Sequence, residues 1–354
     1  MTPTVTALAA RPDGAPPRLA EPPVFIVGPG RSGTTLMRTL LAAHSRIAVT
    51  PETHFLKFAQ AFGYGQEDAP QDYAALCRSY SETQRFLDLG VPPEQFLNRA
   101  AAAPGRGFAD AFAALLDVYR AHIGKPRIGE KTPGHQRFLA DLLAWFPDAR
   151  ILFMMRDPRA QIASALSLPW ILKQMKPQRR GAPLVRRSRR YQIARHARAW
   201  TKILGRYHAV AQDDRVLRVV YEELAADPET QMRRVCRFID EPFEPSMLDQ
   251  RAEVPGAAAT AQSAWPDWIT AHEAQAAAPI DAARIDRWRR SLSASEVAMI
   301  EGLCAAGMGE LAYAPVSSKQ ARRRGALLGR ALLAADQGEG LLRTYAAAVR
   351  RRLR

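Results

Sequence analysis

The run Gly28-Pro29-Gly30-Arg31-Ser32-Gly33-Thr34-Thr35 matches the phosphate-loop pattern G-x-x-x-x-G-K-[ST] at every fixed position except the lysine, which is Thr34. Successive N–H groups of a Gly-rich turn, continued by a helix N-terminus, cradle a phosphate or sulfate group without any side-chain charge. Gly30, Arg31, Ser32, Gly33, Thr34 and Thr35 supply such a cradle. In nucleoside triphosphatases the lysine reaches the β and γ phosphates while the Ser/Thr holds magnesium. Here a neutral threonine takes the lysine position and Arg31 sits inside the loop. A later apolar run, Ile151 to Met155, leads straight into Arg156 and supplies no magnesium-binding aspartate. These residue types favour a phosphate- or sulfate-bearing ligand and disfavour ATP–magnesium chemistry.

The elements that must position this loop follow from the hydropathy pattern. Val24 to Gly28 is a short, continuous apolar run of the kind a fully buried parallel strand shows, and Thr35 to His44 has helical periodicity through Leu36, Leu40 and Leu41. The run Ile151 to Arg156 follows an amphipathic helix expected over Gln136 to Phe146 and leads into another over Ala160 to Leu168. Val216 to Tyr221 leads into a helix near Asp227-Pro228, with aspartate at the N-cap and proline at the first helical position. A further short strand is expected over Ile47 to Val49. Strands alternating with helices predict an α/β fold, a P-loop-like parallel sheet flanked by helices, with ligands at the carboxyl ends of the strands. Residues 60–125 read as a mostly helical insertion. The organisation expected is a leader without fixed structure over 1–20, one domain over 21–315 and a basic helical tail over 316–354.

The stretch PPVFIVGPGRSGTTLMRTLL resembles the 5′-phosphosulfate loop of the sulfotransferases, which move a sulfuryl group from 3′-phosphoadenosine 5′-phosphosulfate (PAPS) to a hydroxyl or amine. Its RSGTTLMR wording is particularly similar to the tyrosylprotein sulfotransferases and their bacterial relatives. ILFMMRDPRAQIASAL resembles the family's 3′-phosphate motif, a strand ending in arginine with a serine eight residues on, here Arg156 and Ser164. An arginine can fork onto a phosphate while the serine donates from its hydroxyl. RVVYEELAADPETQMRRVCRFI resembles the segment in which a tyrosine, here Tyr221, lies near the nucleotide. IDRWRRSLSASEVAMIEGLCAAGMGELAY resembles the C-terminal segment whose tryptophan and basic residues close over the cofactor, here Arg284, Arg287 and Trp288. Relatives often carry a serine where this chain has Ala283, so that contact is either missing or supplied by Arg284.

The resemblance implies PAPS as co-substrate, no metal, and in-line displacement at sulfur. Charge grows on the leaving 5′-phosphate oxygen, which calls for cations and N–H donors, and the acceptor must lose a proton, which calls for a base. Arg31 occupies the place where other sulfotransferases often have a lysine. Lys131, in GEKTPGHQRFL, matches the lysine that reaches the active site from the loop before a helix. Glu52, in VTPETHFL, follows Arg31 by 21 residues, the offset of the catalytic glutamate in the tyrosylprotein branch. His54 is its rival, because the cytosolic small-molecule enzymes use histidine.

Composition bounds the rest. The 354 residues are 47% hydrophobic, enough for a large core, and the three cysteines are scattered, with neither disulfide nor zinc spacing. The absence of a signal-type leader or an apolar span then predicts a cytoplasmic protein. The net charge of +15 is concentrated in two stretches: residues 170–198 carry ten Lys/Arg and no acid, and 319–354 carry ten more against Asp336 and Glu339. The first, as a lid over the site, suits an anionic acceptor such as an acidic polysaccharide, peptide or lipid. The second is a candidate for peripheral contact with a membrane surface. Neither interleaves aromatics as a single-strand nucleic-acid binder would, so no nucleic acid is expected. Two competing readings are a phosphate-loop kinase and a non-catalytic module that holds an anionic polymer on the same fold.

Overall fold

A computed structural model describes residues 19–63, 72–175, 184–249, 280 and 284–352, with side chains described as far as residue 338. Most of the expected leader, the middle of the first basic stretch and Ala283 lie outside the described residues. Contacts divide the chain into two compact units, Met1–Met155 with Tyr207–Ile280, and Arg156–Arg206 with Asp281–Arg354.

The first unit is built on five parallel strands in the order β2-β3-β1-β4-β5. They are β1 (Val24–Val27), β2 (Ile47–Thr50), β3 (Arg127–Lys131), β4 (Arg150–Met155) and β5 (Val216–Val220). β1 is central and pairs with β3 through Val24 opposite Gly129, and with β4 through Val24 opposite Arg150. The alternation of a strand sends its neighbours to opposite faces. Val24 and Ile26 enter a core with Met37, Leu40 and Leu41 of α1 (Thr34–Ala42). Phe25 turns the other way, its ring 6.1 Å from that of Phe112 and 5.5 Å from that of Phe146. Both faces of β1 are therefore covered, as its unbroken apolar run requires.

Between β2 and β3 the chain forms α2 (Phe55–Ala61), α3 (Tyr73–Ser81), α4 (Gln84–Leu87), α5 (Pro93–Ala101) and α6 (Phe108–Ile123). The helix expected over Gln136 to Phe146 is instead a 3₁₀ turn, Pro133–Arg137, followed by α7 (Leu139–Trp145). Phe138 separates them with φ −121° and ψ 29°, and its N–H bonds to the His135 carbonyl at 2.8 Å. Ahead of it, the turn holds the His135 ring against buried Glu130.

β4 passes through Asp157, whose carboxylate caps the Arg159 N–H, into α8 (Pro158–Leu166), the start of the second unit. There follow α9 (Pro169–Met175) and α10 (Arg189–His208), whose end enters the first unit. β5 leads to α11 (Tyr221–Ala226) and α12 (Pro228–Phe238), the latter with the expected Asp227 cap and proline start. The second unit closes with α13 (Trp288–Ser291), α14 (Ala294–Leu303), α15 (Ala305–Glu310) and the long α16 (Lys319–Arg352), which packs along α14. Among the described residues no helix is long and apolar enough to cross a membrane.

One backbone requirement fixes the exit from β1. Gly28 has φ 138°, and a Cβ there would lie 2.3 Å from the Met154 carbonyl oxygen of β4. Gly28→Ala should therefore lower stability by about 3 kcal/mol, through left-handed strain and a backbone clash together. Urea unfolding measures this, and a loss below about 1 kcal/mol would show that the β1–β4 approach relaxes freely.

Candidate active site

Beyond Gly28, the loop after β1 is left-handed at two further places, Arg31 with φ 72° and Gly33 with φ 85°. The first is costly for a side-chain-bearing residue, and left-handed residues in a Gly-rich turn are the conformations from which anion nests are built. Gly33 stands at the N-cap of α1 and, having no side chain, offers no capping oxygen to the N–H groups of the first turn. Among the described residues, the fully buried Ser32 Oγ has no hydrogen-bond partner, and a Cβ on Gly30 would meet nothing within 4 Å. Thr34 and Thr35 are buried at the start of α1. An orphaned hydroxyl, open space at Gly30 and an uncapped helix start fit an anionic group of phosphate or sulfate size. Tyr221, at the head of α11, packs its ring on this loop: a Cβ on Gly33 would lie 2.5 Å from the ring.

Lys131 is the last residue of β3 and not part of a loop, which corrects the expectation from the sequence. Its strand, Arg127–Lys131, is buried throughout despite three charges, because each charge has a partner. Arg127 donates to the Pro22 carbonyl at 2.9 Å and pairs with Glu241 at 3.2 Å. Lys131 Nζ donates to Glu52 Oε1 at 2.9 Å, and His54 Nε2 lies 3.0 Å from Glu52 Oε2. The sheet register explains the meeting, since β2 ends with Thr50 opposite Glu130 and Glu52 follows two residues on. Glu52 and its rival His54 are thus one hydrogen-bonded chain with Lys131, at the carboxyl edge beside β1. His54 is also strained, with φ 49° at the N-cap of α2.

Two opposing effects set the charge of Glu52, whose side chain keeps 29% of its surface exposed. Burial pushes its pKa up, but the Lys131 ammonium and the His54 hydrogen bond outweigh this and hold it well below the usual carboxylate range. Among the described residues no group of three or more His, Cys, Asp or Glu is arranged to hold a metal ion.

The second unit brings other expected residues together. The Arg156 guanidinium donates to the Arg284 carbonyl at 3.3 Å, and the Trp200 indole N–H to the Arg156 carbonyl at 3.0 Å. Ser164 is half-buried on α8, and Arg287 is exposed just before α13. Trp288 is only 3% exposed, with the Arg159 guanidinium 4.4 Å and that of Arg289 4.5 Å from its ring centroid. Arg159, unnoticed in the sequence, pairs with Asp157 and Glu301, each at 2.7 Å. Burial would lower its pKa, but these carboxylates raise it. Their sequence separation, and the absence of any repeating pattern linking Arg159 to Glu301, left no signal to find them by.

The sheet and its loop place the protein among the α/β folds with a parallel sheet and a Gly-rich loop behind its central strand. The profile of the sulfotransferase family matches residues 22–245, and the chain belongs to that family. The protein-tyrosine sulfotransferase of Drosophila melanogaster is 28% identical over 233 residues, 64% of this chain and 40% of that protein. Nodulation protein NoeE of Sinorhizobium fredii is 32% identical over 147 residues, 41% of this chain and 31% of that one. The chain thus spans less than two thirds of these relatives. Among solved structures, the sulfotransferase domain from the Synechococcus PCC 7002 olefin synthase aligns with a TM-score of 0.52 at 21% identity, covering 79% of this chain and 91% of that one. The sulfotransferase domain from the curacin biosynthetic pathway gives 0.52 at 18% identity, covering 84% and 99%. Both likenesses are of fold.

Because the folded pKa of Glu52 is depressed, its ionised form stabilises the protein above the ordinary glutamate value of about 4.3, and that contribution is lost as pH falls through the lower folded value. Glu52→Gln should cost about 1–2 kcal/mol at pH 7, and the gap from the unsubstituted protein should narrow progressively as pH falls below the ordinary glutamate range. Urea midpoints across this range test the pairing; a gap that does not change with pH would count against it.

Proposed function

We propose that the protein is a PAPS-dependent sulfotransferase that transfers a sulfuryl group to a hydroxyl or amine of an acceptor, with Glu52 as base. The observation that supports this most is the Lys131–Glu52–His54 chain at the sheet edge beside a Gly-rich loop that lacks the triphosphatase lysine. When bound, PAPS supplies the sulfuryl group and an adenosine 3′,5′-bisphosphate leaving group. The loop N–H groups from Gly30 to Thr35 and the Ser32 hydroxyl hold the 5′ anionic end, with Tyr221 packed against the loop. Arg31 and Lys131 stabilise the negative charge that develops there. Glu52, ionised at neutral pH, takes the acceptor proton, and His54 orients its carboxylate.

Arg156 and Ser164 are assigned the 3′-phosphate, with Arg284 beside Arg156 as a second cation. Arg287 and Trp288 are assigned to the segment that closes over the nucleotide. Arg159 keeps Trp288 buried and in place. The acceptor is proposed to be anionic, in keeping with the basic stretch over 170–198, and the site of action cytoplasmic, with α16 available to an anionic membrane surface.

Adenosine 3′,5′-bisphosphate should raise the melting temperature more than ATP–magnesium or heparin does, because only a ligand that binds the folded state stabilises it. Glu52→Gln should lower turnover with labelled PAPS by about 10²- to 10⁴-fold while leaving adenosine 3′,5′-bisphosphate affinity intact. Arg156→Ala should instead weaken that affinity by about tenfold or more. A stronger response to ATP–magnesium would point to a kinase, and one to heparin alone to a polymer-binding module.

A further inference from the structure

Beneath the Lys131–Glu52–His54 chain lies a second carboxylate, Glu130, fully buried at the penultimate position of β3. Burying a carboxylate costs several kcal/mol unless its oxygens are satisfied, and here both are. Glu130 Oε1 accepts from Thr53 Oγ1 at 2.8 Å and from Thr132 Oγ1, while Oε2 meets His135 Nδ1 at 3.1 Å. Thr53 is the residue between Glu52 and His54, and Thr132 is the residue after Lys131. Thr132 Oγ1 also accepts the N–H of His54 at 3.3 Å, and Thr53 Oγ1 accepts that of Phe55 at 3.3 Å. Every segment that carries a member of the upper chain is therefore tied to the same buried carboxylate.

Among the described residues, Glu130 is the one polar partner of the His135 side chain. Its Nε2 is buried without a hydrogen-bond partner, and its ring stands edge-on to Phe112 and Phe138 at 5.8 and 6.3 Å. A packing role alone would be met by an apolar side chain of similar size, without the desolvation cost of a buried carboxylate. What the carboxylate adds is register: it fixes residues 52–54 against residues 130–132, and holds His54 in its left-handed conformation.

We propose that Glu130, braced by Thr53, Thr132 and His135, is the positioning residue that holds Lys131 and His54 onto Glu52 and so sets the proton affinity of the base. The titratable groups facing Glu52 are Lys131 from β3 and His54 on its own segment; those facing Glu130 are His135 and the Tyr80 phenol, which donates to the Thr53 carbonyl at 2.9 Å. Loosening the register weakens the contacts that hold the Glu52 pKa down, so that pKa rises. The catalytic consequence rests on the role of Glu52 proposed above, whereas the effect on its titration does not.

The test is the titration of the Glu52 carboxyl by carbon-13 NMR on the full chain with labelled glutamate, the resonance assigned with Glu52→Gln. Glu130→Gln and Thr53→Val should each raise the Glu52 midpoint by about one pH unit or more, and Thr53→Ser, which keeps the hydroxyl, should leave it near its original value. With PAPS and an accepted acceptor, the same two variants should lower kcat by about tenfold or more, because the displaced carboxylate loses more in alignment than it gains in basicity, and move its acid limb to higher pH. The KM for PAPS should stay within about twofold. An unmoved Glu52 midpoint in Thr53→Val overturns the proposal even if Glu130→Gln does not fold, as does an equal rise in Thr53→Ser. A wild-type protein that binds adenosine 3′,5′-bisphosphate but transfers nothing from PAPS would defeat the proposed function, while the titration still decides the positioning role.

Discussion

The ion pair between Lys131 and Glu52 is the contact on which the rest of the site depends. A strand with an ammonium at its end can be buried on both faces only if that charge finds a carboxylate, and the carboxylate comes from the neighbouring strand's exit. Parallel pairing makes this possible, because β2 and β3 run the same way and deliver their last residues to one edge. β1 lies on the other side of β3, so the loop after Gly28 opens at that edge too. The chemistry of the site thus follows from strand order and register before any ligand is considered.

How much of this was legible depended on where each residue finds its partners. β1, β4 and β5 read clearly because their signal is local: unbroken apolar runs followed by helix caps. β3 did not, since Arg-Ile-Gly-Glu-Lys has the composition of a surface loop and is buried only through Glu241, Glu52 and the Glu130 network. Lys131 and Glu52 were each found by resemblance to a family motif, yet their contact across 79 residues of sequence could not be read from either motif. Glu130 and His135 were passed over for the same reason. A buried carboxylate with a histidine five residues on looks, in one dimension, like ordinary polar sequence.

The second unit shows the same logic in its use of charge. Its basic stretch reads as a block of repelling cations, but Arg189 pairs with Glu296 at 2.7 Å and Arg186 with Asp336, which also accepts from the Tyr191 hydroxyl at 2.8 Å. Asp336 is one of only two acids in the tail, so the acid there is committed to holding α16 rather than to offsetting its surface charge. Glu301 acts likewise, accepting the N–H groups of Val316 and Ser317 at 2.8 and 3.0 Å as well as Arg159. The run of cations counted along residues 170–198 therefore overstates what that stretch offers to a partner, because acids distant in sequence pair with it in the fold.

A carboxylate held well below its ordinary pKa is always ionised at neutral pH, and for that reason is a weak proton acceptor. The same contacts that assemble the site thus oppose the role as base proposed for Glu52. On the proposed reading the opposition is resolved if the Lys131 ammonium is shared with an anion at the loop, because charge drawn toward that anion would be withdrawn from Glu52, whose proton affinity would then rise. With a side chain only 4% exposed at the end of β3, Lys131 has little freedom to move away, so the change comes from redistribution of its interactions. Glu52 would then gain basicity only when an anion fills the neighbouring cradle, and an acceptor meeting the empty site would find a carboxylate ionised but held in its ion pair.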